Sequence, residues 1–510
     1  MNAVYGIRWD DGKRIRIVAA LLSALVAIAV FVAMSASAGS DRSMASLVVS
    51  GKPGSVESAA KAVQHLGGTV GQRISLINGF LAKVPSNRVA ELRTAPSVLS
   101  AVIDRPLTLS GDSAGAGSPG ASLEQVKQEI GADKLAKAGF DGSGVDIAMI
   151  DSGVVPAPGL SQSKVYVGPD FSPEAADPAK RGLDTYGHGT HLAGIMVGSN
   201  QADGFSGVAP GARLVSVKAA AADGSTNLGE LLQAISWVVS HRQSDGLNIR
   251  VLNLSVGSPL SGDYTADPLA YAAEQAWKAG IAVVAAAGNG NDVIGLDTPA
   301  ADPYVIATGA TSMGASIGLG DNGVPSWSRL GTTTRAPDVV GPGTSIVSLR
   351  DEGSFIDQNH PEGLVGKDYF KGSGTSQAAA VVSGAVGLLL DENPSLTPDQ
   401  VKALFVTAAQ KVPGVSPLSQ GAGQIDVDRS VHLTVPAARQ LFRAASLSAI
   451  LQANRSQDVR VDPGGTGRSL SASRWSASKW SASKWSASKW SASKWSASKW
   501  SDNSWGDTTP

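Results

Sequence analysis

Four short runs, "VDIAMID" (145–151), "RLVSVKA" (213–219), "RVLNLSVG" (250–257) and "IAVVAAAGN" (281–289), are apolar almost without interruption. A strand covered on one face alternates apolar with polar, so continuous runs of this length imply strands covered on both faces, as in a parallel sheet. Parallel strands need crossover connections, and the intervening segments supply them. "STNLGELLQAISWVVSHRQSDG" (225–246) opens on capping residues, carries a helical apolar repeat and closes on glycine. Residues 123–435 are therefore expected to form an α/β domain with a mostly parallel central sheet flanked by helices.

The flanks have different textures. Residues 8–16 hold Arg8, Lys13, Arg14 and Arg16, followed by the apolar run "IVAALLSALVAIAVFVAM" and the small residues Ala36–Ala38. A basic start, an apolar centre and a small-residue site read as an export signal over 1–38, with a retained membrane anchor as the alternative. Residues 45–109 alternate strand-like and helix-like segments, "ASLVVSG", "RISLINGFLAKVP" and "VLSAVIDRPLTL" reading as strands and "SVESAAKAVQHLGG" and "SNRVAELRTAP" as helices, a small α+β, ferredoxin-like unit. The stretch "SGDSAGAGSPGAS" (110–122) is too poor in large apolar groups to join a core and reads as a linker open to cutting. Beyond residue 436 the chain ends in six copies of Ser-Ala-Ser-(Lys/Arg)-Trp over 471–500. A five-residue period gives tryptophan no common face on a helix or strand, so disorder is expected there.

Composition narrows the chemistry. The formal charge of −1 gives no reason to expect nucleic acid as a partner. With no cysteine, a thiolate nucleophile, a disulfide and a cysteine-bound zinc are excluded, and any nucleophile is oxygen or nitrogen.

Functional groups of open parallel sheets gather where strands end and loops leave. Asp151 closes "IAMIDSG" at such a point. In "YGHGTHLAGIMVG" the apolar spacing starts a helix near Thr190, which leaves His188 at the helix entrance and His191 one turn inside. His188 is placed to take a proton from one neighbour while another orients it, and His191 is assigned to packing. Two histidines three apart also raise a metal pair, for which no third ligand is evident. In "GSGTSQAAAVVSGAVGLLL" a helix apolar nearly all round begins about Ser376, whose hydroxyl meets the positive field of the helix N-terminus. Alone, Asp151 is a turn former and Ser376 a helix cap. Together, Asp, His and Ser supply an orienting group, a base and a nucleophile.

With that order, and with 36 and 187 residues between them, the chain resembles the subtilisin-like serine peptidases over roughly 123–435. "IAMIDSGV", "GHGTHLAG" and "GTSQAAA" carry the likeness. It implies a secreted endopeptidase that acts on protein or peptide substrates through an acyl-enzyme, with no cofactor required for the chemistry. It further implies that Asn289 in "AAAGNGN" stabilises the oxyanion, that Ser255, Val256 and Gly257 line the extended substrate, and that Ala286, Ala287 and Gly288 wall the pocket before the cut. The 45–109 unit is similar in element order and position to the family's inhibitory propeptide, which implies a self-processed precursor cut within 105–122. Many relatives bind structural calcium, but no ligand set is matched here residue by residue. Gln377 and Ala380 depart from the family's usual Met and Pro. The rival reading is an inactive scaffold that displays the Trp/Lys tail. The tail itself combines apolar and cation–π contacts with positive charge, a combination suited to cell wall or an anionic membrane surface.

Overall fold

The computed structural model describes residues 43–109, 120–260, 262–290 and 294–450. The expected signal segment, most of the linker and the repeat tail lie outside these residues.

The N-terminal unit comprises β1 (Met44–Gly51), α1 (Val56–His65), β2 (Thr69–Ile74), β3 (Gly79–Pro85), α2 (Val89–Thr94) and β4 (Val98–Ile103). Its antiparallel sheet runs β2-β3-β1-β4, the ferredoxin-like arrangement, around a core that includes Leu47, Val49, Val63, Phe80 and Leu92. Two sequence readings are corrected here. "RISLINGFLAKVP", read as one strand, folds into two that turn at Asn78, which adopts φ 49° and donates from Nδ2 to Gly51 O at 3.0 Å. Asparagine tolerates the left-handed region, and both arms share the same alternation, which hides the turn. "VLSAVIDRPLTL" also breaks, after Ile103, and its second half forms β5 (Pro106–Leu109) in a different sheet.

The larger unit is built on seven parallel strands. These are β6 (Asp146–Asp151), β7 (Val165–Asp170), β8 (Arg213–Lys218), β10 (Ile249–Leu254), β12 (Ala282–Ala286), β14 (Ile306–Thr311) and β15 (Val339–Pro342), in the order β15-β14-β12-β10-β6-β8-β7. The chain enters at β6 in the middle, winds outward through β7 and β8, then returns to build the other side. The crevice where winding reverses therefore opens at the end of β6, at Asp151. Around the sheet lie α3 (His188–Val197), α4 (Leu228–Ser240), α5 (Pro268–Lys278) and α6 (Thr375–Glu392). α6 is buried from Thr375 to Leu390 and packs on β10, β12, β14 and β15, so an apolar surface all round is what its position requires.

Three short strands, β9 (Ser225–Asn227), β11 (Val256–Pro259) and β13 (Asp297–Thr298), join β5 in a separate antiparallel sheet ordered β9-β5-β11-β13. "RVLNLSVG" thus serves two sheets, with Ser255 at the change. In register, Leu109 pairs with Val256 and Thr108 with Gly257, while Leu107 pairs with Thr226. The N-terminal unit is held further by Arg105 Nη2, 2.7 Å from Asp267 Oδ2, and by Asp104 Oδ1, which accepts from Gly229 N at 2.7 Å at the start of α4. At the other end, residues 436–450 run along the large unit instead of leaving it at 435. Gln440 Nε2 donates to Asp399 Oδ1 at 3.0 Å, and Tyr304 Oη donates to Phe442 O at 2.8 Å.

Arg105 is the cation that offsets burial of Asp267, whose side chain keeps 5% exposure. Burial alone pushes the Asp267 carboxyl up, and Arg105 with three hydrogen bonds holds it below the ordinary value. Breaking a buried pair costs about 3–5 kcal/mol and an exposed one under about 1; with Arg105 partly exposed, we expect Arg105→Ala to weaken association of the separate 43–109 unit with the large unit by roughly ten- to a hundred-fold. Titration calorimetry measures it, and an unchanged Kd would leave strand pairing alone responsible.

Candidate active site

Asp151 ends the central strand with its backbone fixed by parallel neighbours, so its carboxylate has little freedom. His188 is the first residue of α3, two positions earlier than the apolar spacing suggests. Its Nδ1 lies 2.7 Å from Asp151 Oδ1, and both side chains are fully buried. The same oxygen accepts from Ser152 N at 2.8 Å and from Ser152 Oγ at 3.2 Å. With Asp151 accepting, Nδ1 carries the proton, and Nε2 is left as the basic nitrogen of a neutral ring.

Close approach of α3 to the loop after β6 makes this contact. A Cβ on Gly189 would lie 2.1 Å from Gly153 O, so no larger residue fits without displacing the helix. Gly189 N also donates to Ser152 Oγ at 2.9 Å. The helix start is capped from outside by Asp184, whose oxygens accept from Gly187 N and Thr190 N, each at 2.7 Å. His191 packs as expected. It is 1% exposed, its Nε2 lies 3.2 Å from both Ile346 O and Phe370 O, and burial pulls its pKa down to about 3, so it is neutral in any ordinary buffer.

Ser376 is the second residue of α6 and fully buried, in the first turn of the helix, where backbone N–H groups point out along the helix axis. Thr375 beside it ties this helix to the loop after β12. Its N–H and Oγ1 donate to Asn289 Oδ1 at 3.0 and 2.9 Å, and its Oγ1 accepts from Gly288 N at 3.2 Å. Holding Oδ1 on one side turns the Nδ2 end of Asn289 away from Thr375. Ala286, Ala287 and Gly288 precede it as the end of β12 and its exit, with Ala286 3% exposed and Ala287 wholly buried. Opposite, Ser255 is buried and accepts from Asn253 Nδ2 at 3.0 Å, and Val256 and Gly257 carry β5.

The structure thus gathers Asp151 and His188 into direct contact, joins Asn289 to the residue before Ser376, and lays an extended segment along Val256 and Gly257. Ser152 and Thr375 escaped the sequence reading, although both sit inside the motifs it used, because a neighbour's hydrogen bond leaves no pattern in composition. Among the described residues no group of three or more His, Asp or Glu side chains is arranged to hold a metal ion.

The subtilase family profile matches residues 142–423, and a peptidase inhibitor domain profile matches 27–102, beginning inside the segment read as a signal. Serine protease AprX of Bacillus subtilis is 34% identical over 322 residues, covering 61% of this chain and 72% of that protein. Subtilisin E of the same organism is 31% identical over 344 residues, 67% of this chain and 77% of its own. The crystal structure of fervidolysin from Fervidobacterium pennivorans, a keratinolytic enzyme related to subtilisin, superposes with TM-score 0.62 at 20% identity, covering 78% of this chain and 62% of that one, a likeness of fold. A family match across more than half of the chain, on a seven-stranded parallel sheet preceded by an inhibitor-like unit, makes this protein a member of the subtilase family, a serine peptidase.

Proposed function

We propose that this peptidase cuts peptide bonds with Ser376 as nucleophile, His188 as base and Asp151 as the group that orients the base. The observation that carries the reading is the 2.7 Å contact of His188 Nδ1 with a fully buried Asp151 carboxylate, which fixes the tautomer in which Nε2 accepts a proton. Ser376 Oγ attacks the substrate carbonyl carbon as its proton passes to Nε2. The resulting oxyanion accepts from the Ser376 N–H and from Asn289 Nδ2, the end of the amide turned away from Thr375. On collapse Nε2 gives its proton to the leaving amine, an ester remains on Ser376, and water activated by the same nitrogen releases it. An inactive scaffold has no use for this tautomer or for the Asn289 orientation.

The substrate binds as an added strand. β5 supports this, since its antiparallel pairing with Val256 and Gly257 supplies backbone hydrogen bonds to any sequence, and side chains alternate into pockets. The 45–109 unit then acts as an intramolecular inhibitor, and self-processing falls beyond Leu109 in the 110–122 linker. Residues 1–38 serve as the export signal, which makes the enzyme secreted or surface-held. The 471–500 repeats attach it to cell wall or an anionic membrane surface, by stacked indole and cation contacts.

Replacing Ser376 or His188 by Ala is expected to lower kcat about a million-fold and Asn289→Ala about a hundred- to a thousand-fold, the magnitudes known for subtilisin. Ser376→Ala is expected to accumulate as the uncut precursor in a protease-deficient host, read by N-terminal sequencing; normal trimming there rules out self-processing. Deleting 471–510 is expected to leave peptide hydrolysis intact and shift the protein from the cell fraction to the medium, and equal partitioning contradicts a binding tail. Gln377, next to the nucleophile, is fully buried and, unlike methionine, has no sulfur to oxidise. Activity is therefore expected to survive peroxide in the native enzyme and to decay in Gln377→Met, followed as residual hydrolysis over time.

A further inference from the structure

A buried ion pair joins the two walls of the substrate cleft. Asp297, in β13, pairs with Pro259 of β11, and its N–H donates to Ala287 O at 3.0 Å, so it touches both flanking segments. A Cβ on Gly257 would meet Asp297 Cβ at 3.2 Å, and one on Gly288 would meet Asp297 Oδ2 at 2.2 Å. The two glycines leave the space that the carboxylate occupies. Behind it lies Arg329, whose Nη2 is 3.3 Å from Asp297 Oδ1 and donates to Asn289 O at 3.2 Å; the two side chains are 5% and 9% exposed, Arg329 first.

The pair is incompletely bonded, in a way that singles out one atom. Asp297 Oδ1 and Arg329 Nε and Nη1 are fully enclosed without a hydrogen bond, and Arg329 Nη2 is engaged. Asp297 Oδ2 accepts no hydrogen bond from any described residue and is not among the enclosed atoms. A ligand in this cleft therefore meets a carboxylate oxygen rather than the guanidinium. A carboxylate at the floor of a mostly apolar pocket favours a side chain that brings donors and a positive charge, and it disfavours another carboxylate.

We propose that Asp297, backed by Arg329, is the specificity-determining floor of the pocket for the side chain preceding the cut, and that it selects lysine and arginine over acidic residues. The proposal rests on the reading that Val256–Gly257 and Ala286–Gly288 flank that side chain. Arg329 supports Asp297 without silencing it. Burial still raises the Asp297 pKa to about 6 against the opposing pull of Arg329, the one charged group that acts on it among the described residues. Its charge, and with it the preference, is present above that pH and lost as the pH falls through it.

The test uses the processed enzyme and p-nitroanilides of Leu-Thr-Leu-X, patterned on Leu107–Leu109, with X as Lys, Arg, Leu or Glu. Turnover of the Leu substrate carries the peptidase reading, and the ratios among substrates carry the inference. At pH 8 the Lys and Arg substrates are expected to exceed Glu at least tenfold in kcat/KM. Asp297→Asn is expected to cut the Lys-to-Leu ratio tenfold or more. Without any substitution, that ratio is expected to fall in the native enzyme as the pH drops through about 6. A preference for Glu, a Lys-to-Leu ratio unmoved by Asp297→Asn, or a ratio independent of pH between 5 and 8 would each overturn the proposal.

Discussion

The contact between Asp151 and His188 organises this molecule. A carboxylate with 1% exposure is unfavourable unless it is hydrogen-bonded, and here the bonds converge on Oδ1, from His188, the Ser152 N–H and the Ser152 hydroxyl. To deliver the histidine, α3 must begin within van der Waals reach of Gly153, which fixes Gly189 as glycine and recruits Asp184 to cap the helix. To deliver the aspartate, the sheet must start in its own middle, at β6. The winding order of the seven strands and the glycines of "GHGTH" are thus consequences of one requirement, a buried carboxylate facing a helix entrance.

The second constraint is an unpaired strand edge. β11 leaves the central sheet after Ser255 and exposes backbone donors and acceptors that need a partner. In this structure β5 supplies it, so the N-terminal unit is anchored through the same edge that the proposed substrates would use. Inhibition, as proposed, and recognition would then share one mode of hydrogen bonding, while Arg105 with Asp267 and Asp104 with the start of α4 add contacts that an ordinary peptide lacks. Such contacts would hold the N-terminal unit where a substrate is released.

Much of this was legible in the sequence, and the exceptions have physical reasons. Buried parallel strands announce themselves by continuous apolar runs, which is why β6, β8, β10 and β12 were readable. β7 lies at the sheet edge and is half-exposed, while β14, "IATGAT", and β15, "VVGP", are rich in threonine, glycine or proline and carry no such run. The hairpin at Asn78 was hidden because both arms share one alternation. The strap over 436–450 was missed because it is held by side chains distant in the chain, Asp399, Tyr304 and Glu274, and not by any pattern of its own. At the site, Asp151, His188, Ser376 and Asn289 stood out by motif. Asp297 and Arg329, in "GLDTPAADP" and "WSRLG", lie in none of the motifs read from the sequence, since only the folded chain sets them against Gly288.

The central claim is that burial of Asp151 and the tautomer it imposes on His188 make Ser376 a nucleophile. Reaction of the processed protein with a fluorophosphonate, followed by peptide mass spectrometry, tests it directly, because the reagent forms a stable bond only with a serine activated by its base. The account predicts one adduct, on Ser376, and its loss in His188→Ala while the fold is retained. An adduct on another serine, or equal labelling of Ser376 in native and His188→Ala protein, would contradict it.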